Sequence, residues 1–195
     1  MTFEEAKESV VRHEVGHWFV AKVLGYKVDG IKILIVPYES SFDYEGSAKI
    51  DFEPAFTALG DVLDYLYDRI TILLAGTAFQ STTDVKKPDE IFQHGAVSDK
   101  NKFDELIRLL RAFEYPNANT RQNEHHQYNE LRSRCWERII EINNEHENTI
   151  DCLVEKIKGI ISEPNIEYHL GYDDIVGLLH NKAFKTDSQR LALSV

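Results

Sequence analysis

His13-Glu14-Val15-Gly16-His17 is the stretch on which the reading of this chain turns. Two histidines four residues apart fall on one face of an α-helix. There both imidazoles can meet a single zinc ion, and the glutamate between them can reach the water that the ion activates. The flanks supply the helix. Thr2 and Glu5 form a capping-box pair, and Phe3, Ala6, Val10, Val11, Val15, Trp18, Phe19, Ala21, Val23 and Leu24 recur at helical spacing until Gly25 ends the run. With this much apolar surface the helix is predicted to be largely buried. Gly16 costs about 1 kcal/mol relative to alanine inside a helix, which points to a second segment approaching closely there. His13 and His17 are therefore candidate zinc ligands and Glu14 the candidate general base. The competing reading is a pair of hydrogen-bonded core histidines beside a solvated acid.

Composition narrows the field. At 195 residues the chain can bury one good core, and one domain over residues 1–182, followed by a polar tail over 183–195, is expected. Its 22 basic residues against 33 acidic ones leave a net charge of -11, which argues against nucleic acid and against an anionic membrane surface as partners. The opening residues are acidic rather than basic, and no run approaches the roughly 18 apolar residues that a membrane span requires. A soluble, cytoplasmic protein is expected. Cys135 and Cys152 lack any CxxC pairing, so reduced, buried thiols are expected rather than a disulfide.

Along the chain, residues 28–36 are β-branched and aliphatic and are closed by Pro37, as in a short buried strand. Residues 39–46 read as a polar loop. Residues 47–52 alternate as a half-exposed strand should, and the two runs are predicted to pair into a small antiparallel sheet. From Pro54 to about Phe79 the period becomes helical, with the second half in the core. Residues 81–95 read as a surface loop, and Ser98 as the N-cap of the next helix, which Pro116 terminates. Two further helices over 121–144 and 146–162 and a short last one over 173–181 complete the prediction. The fold class is mainly α (α+β), helical with one small antiparallel sheet.

A catalytic zinc needs a third protein ligand, and the local motif does not supply it. A metzincin would have Gly at position 20 and His at position 23, where this chain has Val20 and Val23. By chemistry alone Asp61, Asp64, Asp68, Asp99 and several glutamates qualify. The order of motifs resembles the peptidase domain of the FtsH-type ATP-dependent zinc metalloproteases, in which HEAGH precedes a short strand, a LLAGRAAE-like helix and a GASND-like turn. Here the matching stretches are HEVGH (13–17), residues 31–37, LLAGTAFQ (73–80) and GAVSD (95–99). The resemblance extends loosely over residues 5–181. It implies that Asp99 is the third zinc ligand, completing His13 and His17. It also implies two departures. Gln80 stands where the family run ends in Glu, and His94 stands where the family has Ser or Thr; His94 is a candidate cleft residue or a plain surface histidine. His125 and His126, adjacent on a polar helix, are expected to be solvated.

These readings converge on a zinc metalloendopeptidase acting on unfolded or flexible polypeptides, with the strand over residues 47–52 offered for β-addition of substrate. FtsH-type enzymes fuse this domain to an ATPase and membrane anchors, which the chain is too short to hold. A separate ATPase or regulatory protein is therefore the expected partner, and self-association is permitted without being specified. The alternative is a noncatalytic zinc-binding regulatory or interaction module, although an intact Glu14 argues against it.

Overall fold

In the computed structural model, which describes residues 1–82, 87–94, 96–117 and 120–180, the first helix is held at both ends by its own sequence. Thr2 Oγ1 accepts from the Glu5 amide at 3.2 Å and Glu5 Oε2 accepts from the Thr2 amide at 2.7 Å. Helix α1 (Phe3–Val23) ends where Gly25 takes φ 88°, which lets the Tyr26 amide reach Ala21 O and the Gly25 amide reach Lys22 O. Trp18, Val15, Val11 and Ala6 are wholly buried, so α1 is a central element rather than a surface helix.

Strand β1 (Lys27–Tyr38) runs out from this cap, with Val28, Ile31, Ile33 and Ile35 buried. A register shift between Val28 and Ile31 lets Asp29 O accept the Trp18 indole N–H at 2.8 Å. Strand β2 (Ser41–Asp51) returns antiparallel after a turn in which Glu39 takes φ 50°. Two expectations change here. Pro37 does not close β1: it still pairs with Phe42 of β2, beyond the point where the other neighbour ends, and an unshared position tolerates a missing N–H. Residues 41–46 are strand rather than loop, their polarity being that of an edge strand with little burial. The third strand, β3 (Glu167–Leu170), was not expected; it pairs with residues 31–34 and makes the order β2-β1-β3.

Helix α2 (Leu59–Gln80) starts with Asp61 accepting from the Thr57 and Ala58 amides and is buried from Ile70 onward. It crosses α1 so closely that a β-carbon at Gly16 would sit 2.6 Å from Ala75 O, which accounts for the glycine. The segment expected to be loop contains α3 (Pro88–His94), and α4 (Val97–Glu114) is capped at Ala96 rather than at Ser98. Helix α5 (Arg121–Ile160) is one helix of 40 residues instead of two. Its buried stripe Leu131, Cys135, Ile139, Ile142, Ile150, Leu153 and Ile157 passes unbroken through Asn143 and Asn144, which lack the backbone consequences of Pro or Gly. A short α6 (Tyr172–His180) follows β3. The fold is mainly helical with a small antiparallel sheet, as expected. Residues 181–195, including the expected tail, lie outside the described residues. Among the described residues no helix is long and apolar enough to cross a membrane. Cys135 is buried, Cys152 partly so, and neither is bridged.

Candidate metal centre

The four-residue spacing on α1 does what helix geometry requires: His13 and His17 meet edge to face with ring centroids 4.6 Å apart and their Nε2 atoms 3.0 Å apart. From the first turn of α4, Asp99 brings Oδ2 to 3.1 Å from His13 Nε2 and 3.0 Å from His17 Nε2. Ligand atoms at the zinc distances of about 2.0–2.1 Å in a tetrahedron lie roughly 3.3 Å apart, so this triangle is slightly tighter than a zinc-filled one. Its edges need open only by a few tenths of an ångström.

The far side of each ring decides what those atoms offer. His17 Nδ1 lies 2.7 Å from Ile72 O, and His13 Nδ1 lies 3.1 Å from Gln80 Oε1. Carbonyl oxygens only accept, so each Nδ1 carries the hydrogen and each Nε2 presents a lone pair. Gln80 is itself steadied by donating from Nε2 to the Tyr44 hydroxyl at 2.9 Å. Two imidazole lone pairs and a carboxylate oxygen thus converge on one point in a buried place. Such a group could hold a metal ion, and the donor set of two neutral imidazoles and one carboxylate suits zinc. Although burial pushes the His17 imidazole down, Asp99 against it wins and holds it up at about 9. Asp99 lies far below the ordinary carboxylate range: burial opposes this, and the two imidazoles outweigh it.

Glu14, 5% exposed, projects from α1 beside the pair. Burial raises its pKa, against the opposing pull of His13 and His17. A carboxylate moved upward in this way is a better proton acceptor than an exposed one. Gly76 of α2 makes room for the rings, because a β-carbon there would sit 2.4 Å from His17 Nε2 and 2.8 Å from His13 Nε2. The site opens into a cleft of about 470 Å³ whose floor is α1 and α2 and whose walls are the edge strand β2 and the start of α4.

All four residues singled out from the sequence therefore meet in one place. The other candidate acids do not: Asp61 caps α2, Asp64 is exposed, and Asp68 pairs with Arg138 at 2.6 Å and accepts from the Tyr26 hydroxyl. His125 and His126 are exposed, while the side chain of His94 lies outside the described residues. Sequence reasoning missed Tyr44, Gly76 and Arg69 of the cleft. The glycine in the LLAG run was a usable signal; Tyr44 and Arg69 carried none, since only tertiary packing of β2 and α2 brings them to the cleft. Compared with protein-family models and with curated proteins, the chain matches none.

Proposed function

We propose that this chain is a zinc-dependent metalloendopeptidase of the HExxH type, resembling the FtsH-type peptidase domain and acting on flexible polypeptide in the cytoplasm. The observation that carries the reading is the convergence of three lone pairs from His13, His17 and Asp99 beside a buried glutamate at the floor of an open cleft. Zinc bound there would polarise the scissile carbonyl and lower the pKa of water toward about 7. Glu14 takes the proton of the attacking water and returns it to the departing amine. Ile72 O and Gln80 hold the imidazoles in the tautomer that leaves Nε2 free for the metal. Among the described residues strand β2 pairs with β1 on one side only, and its other edge offers backbone groups to an extended substrate. An extended segment suits that edge better than a folded surface does. Polypeptide is the partner that this cleft suits, and a separate ATPase would extend its reach to folded proteins.

Elemental analysis combined with cleavage of an unstructured polypeptide tests the assignment. One zinc per chain is expected, lost in His17→Ala and kept in Glu14→Gln, with cleavage abolished in both. Equal zinc loss in the two variants contradicts the separation of roles. Full zinc occupancy without cleavage of any unstructured peptide assigns the fold to a noncatalytic zinc module instead.

A further inference from the structure

Arg69 lies on the wall of the same cleft, one turn of α2 before Ile72, whose carbonyl anchors His17. Its guanidinium carbon sits 3.5 Å from the centroid of the Phe52 ring, so one flat face is covered by an aromatic. Its Nε is buried without a hydrogen-bond partner, and among the described residues no carboxylate pairs with the group. Acidic residues outnumber basic ones by 33 to 22, and Arg12, Arg111, Arg134 and Arg138 each sit against a carboxylate. Burial pushes the Arg69 guanidinium downward, with Tyr65 and Tyr26 opposing it only in part. A half-buried cation held flat by stacking keeps its N–H edge for a planar anion, the geometry in which arginine takes a carboxylate with two parallel hydrogen bonds. The neighbouring lining is apolar, with Ile50, Phe52 and Val97.

We infer that Arg69 is a specificity-determining residue of the cleft, binding a carboxylate of the peptide substrate next to an apolar side chain. The inference rests on the peptidase reading for its choice of ligand. Two sources supply the same chemistry: the C-terminal carboxylate of a short peptide, or an Asp or Glu side chain within a longer one.

Binding to the zinc-loaded Glu14→Gln protein separates these sources without requiring turnover. The probes are labelled versions of one apolar-rich peptide: blocked at both ends without acids, free at the C-terminus, and blocked with a single Glu walked along the sequence. A carboxylate in register should tighten binding by about tenfold or more, since a charge-assisted bidentate pair is being made. That gain should vanish when Arg69→Gln is added and return in part with Arg69→Lys, while zinc content and melting temperature stay those of the parent. A gain confined to the free C-terminus identifies a carboxypeptide end as the ligand; a gain at one Glu position identifies an acidic side chain. Equal behaviour of all peptides, whether all bind or none does, overturns the inference, and so does a carboxylate gain that survives Arg69→Gln. Carboxylate-dependent binding with no cleavage by the wild type leaves Arg69 its role and removes the peptidase reading instead.

Discussion

Gln80 accepts from His13 and donates to Tyr44, so one neutral amide couples a candidate metal ligand on α1 to the edge strand. Removing such a support typically costs ten- to a hundredfold in metal affinity. Gln80→Ala should weaken zinc binding by about that factor in competition with a chelator, and Gln80→Glu, which keeps an acceptor facing His13 Nδ1, should recover most of it. Equal affinity in all three proteins would mean that the hydrogen bond does nothing for the ligand. Asp99→Asn should be more damaging still, because it removes the only anionic oxygen from the triangle. Asp64→Asn and Asp68→Asn should leave zinc affinity unchanged within about twofold, since Asp64 faces solvent and Asp68 is committed to Arg138 and Tyr26. Sensitivity at Asp64 or Asp68 in the same titration would reject the ligand set. At this scale His13, Glu14 and His17 were legible because helix periodicity alone places them together. Asp99 lies 82 residues beyond His17, and only the resemblance of GAVSD to a known turn singled it out among chemically equivalent acids. Gln80 was legible only as a neutral amide where the resembling family has Glu; its contacts with His13 and Tyr44 were not, because no local pattern says which side chain a helix end will meet.

Helix α1 and helix α2 approach at two glycines, backbone to backbone at Gly16 and backbone to side chain at Gly76, and each is a steric argument about the site. Gly16 was legible as a close contact, since a glycine inside an apolar helix has a cost that packing must offset. Gly76→Ala would drive a methyl group into both imidazole Nε2 atoms, so zinc binding should be lost or fall by more than about a hundredfold, a drop on the scale of losing a ligand or its support. Gly46→Ala on β2 instead meets the Glu14 carboxylate, at 2.4 Å from Oε1. There zinc should stay bound while kcat falls by about a hundredfold or more, the share that a displaced general base contributes. Measured side by side, zinc content and kcat should separate the two variants; loss of zinc in Gly46→Ala would show that β2 supports the metal ligands rather than the base. Elements failed to read correctly where their sequence signals are weak. Strand β2 is polar because it is an edge, β3 has only four residues, and α5 passes through two asparagines that resemble a break but do not impose one.

The whole molecule places the His13, His17 and Asp99 triangle and Glu14 on a cleft of about 470 Å³, walled on one side by a sheet edge. A folded substrate would have to release a segment before its backbone could lie along that edge, because extended pairing and a folded loop are mutually exclusive geometries. The rate for a folded protein should therefore follow the population of its locally opened state, which for stable domains is small. An unstructured polypeptide should be cleaved by the zinc-loaded chain alone, and a stable folded domain of similar composition at least about a hundredfold more slowly, with the gap closing as denaturing mutations destabilise that domain. Cleavage should disappear in Glu14→Gln for both substrates, since both pass through the same base. A gap that persists after the folded domain has been destabilised would mean that recognition depends on sequence in the cleft, with Arg69 as the first residue to vary. Equal rates for folded and unfolded substrates would mean that the cleft admits intact surfaces and that the β2 edge does not select for extended chain.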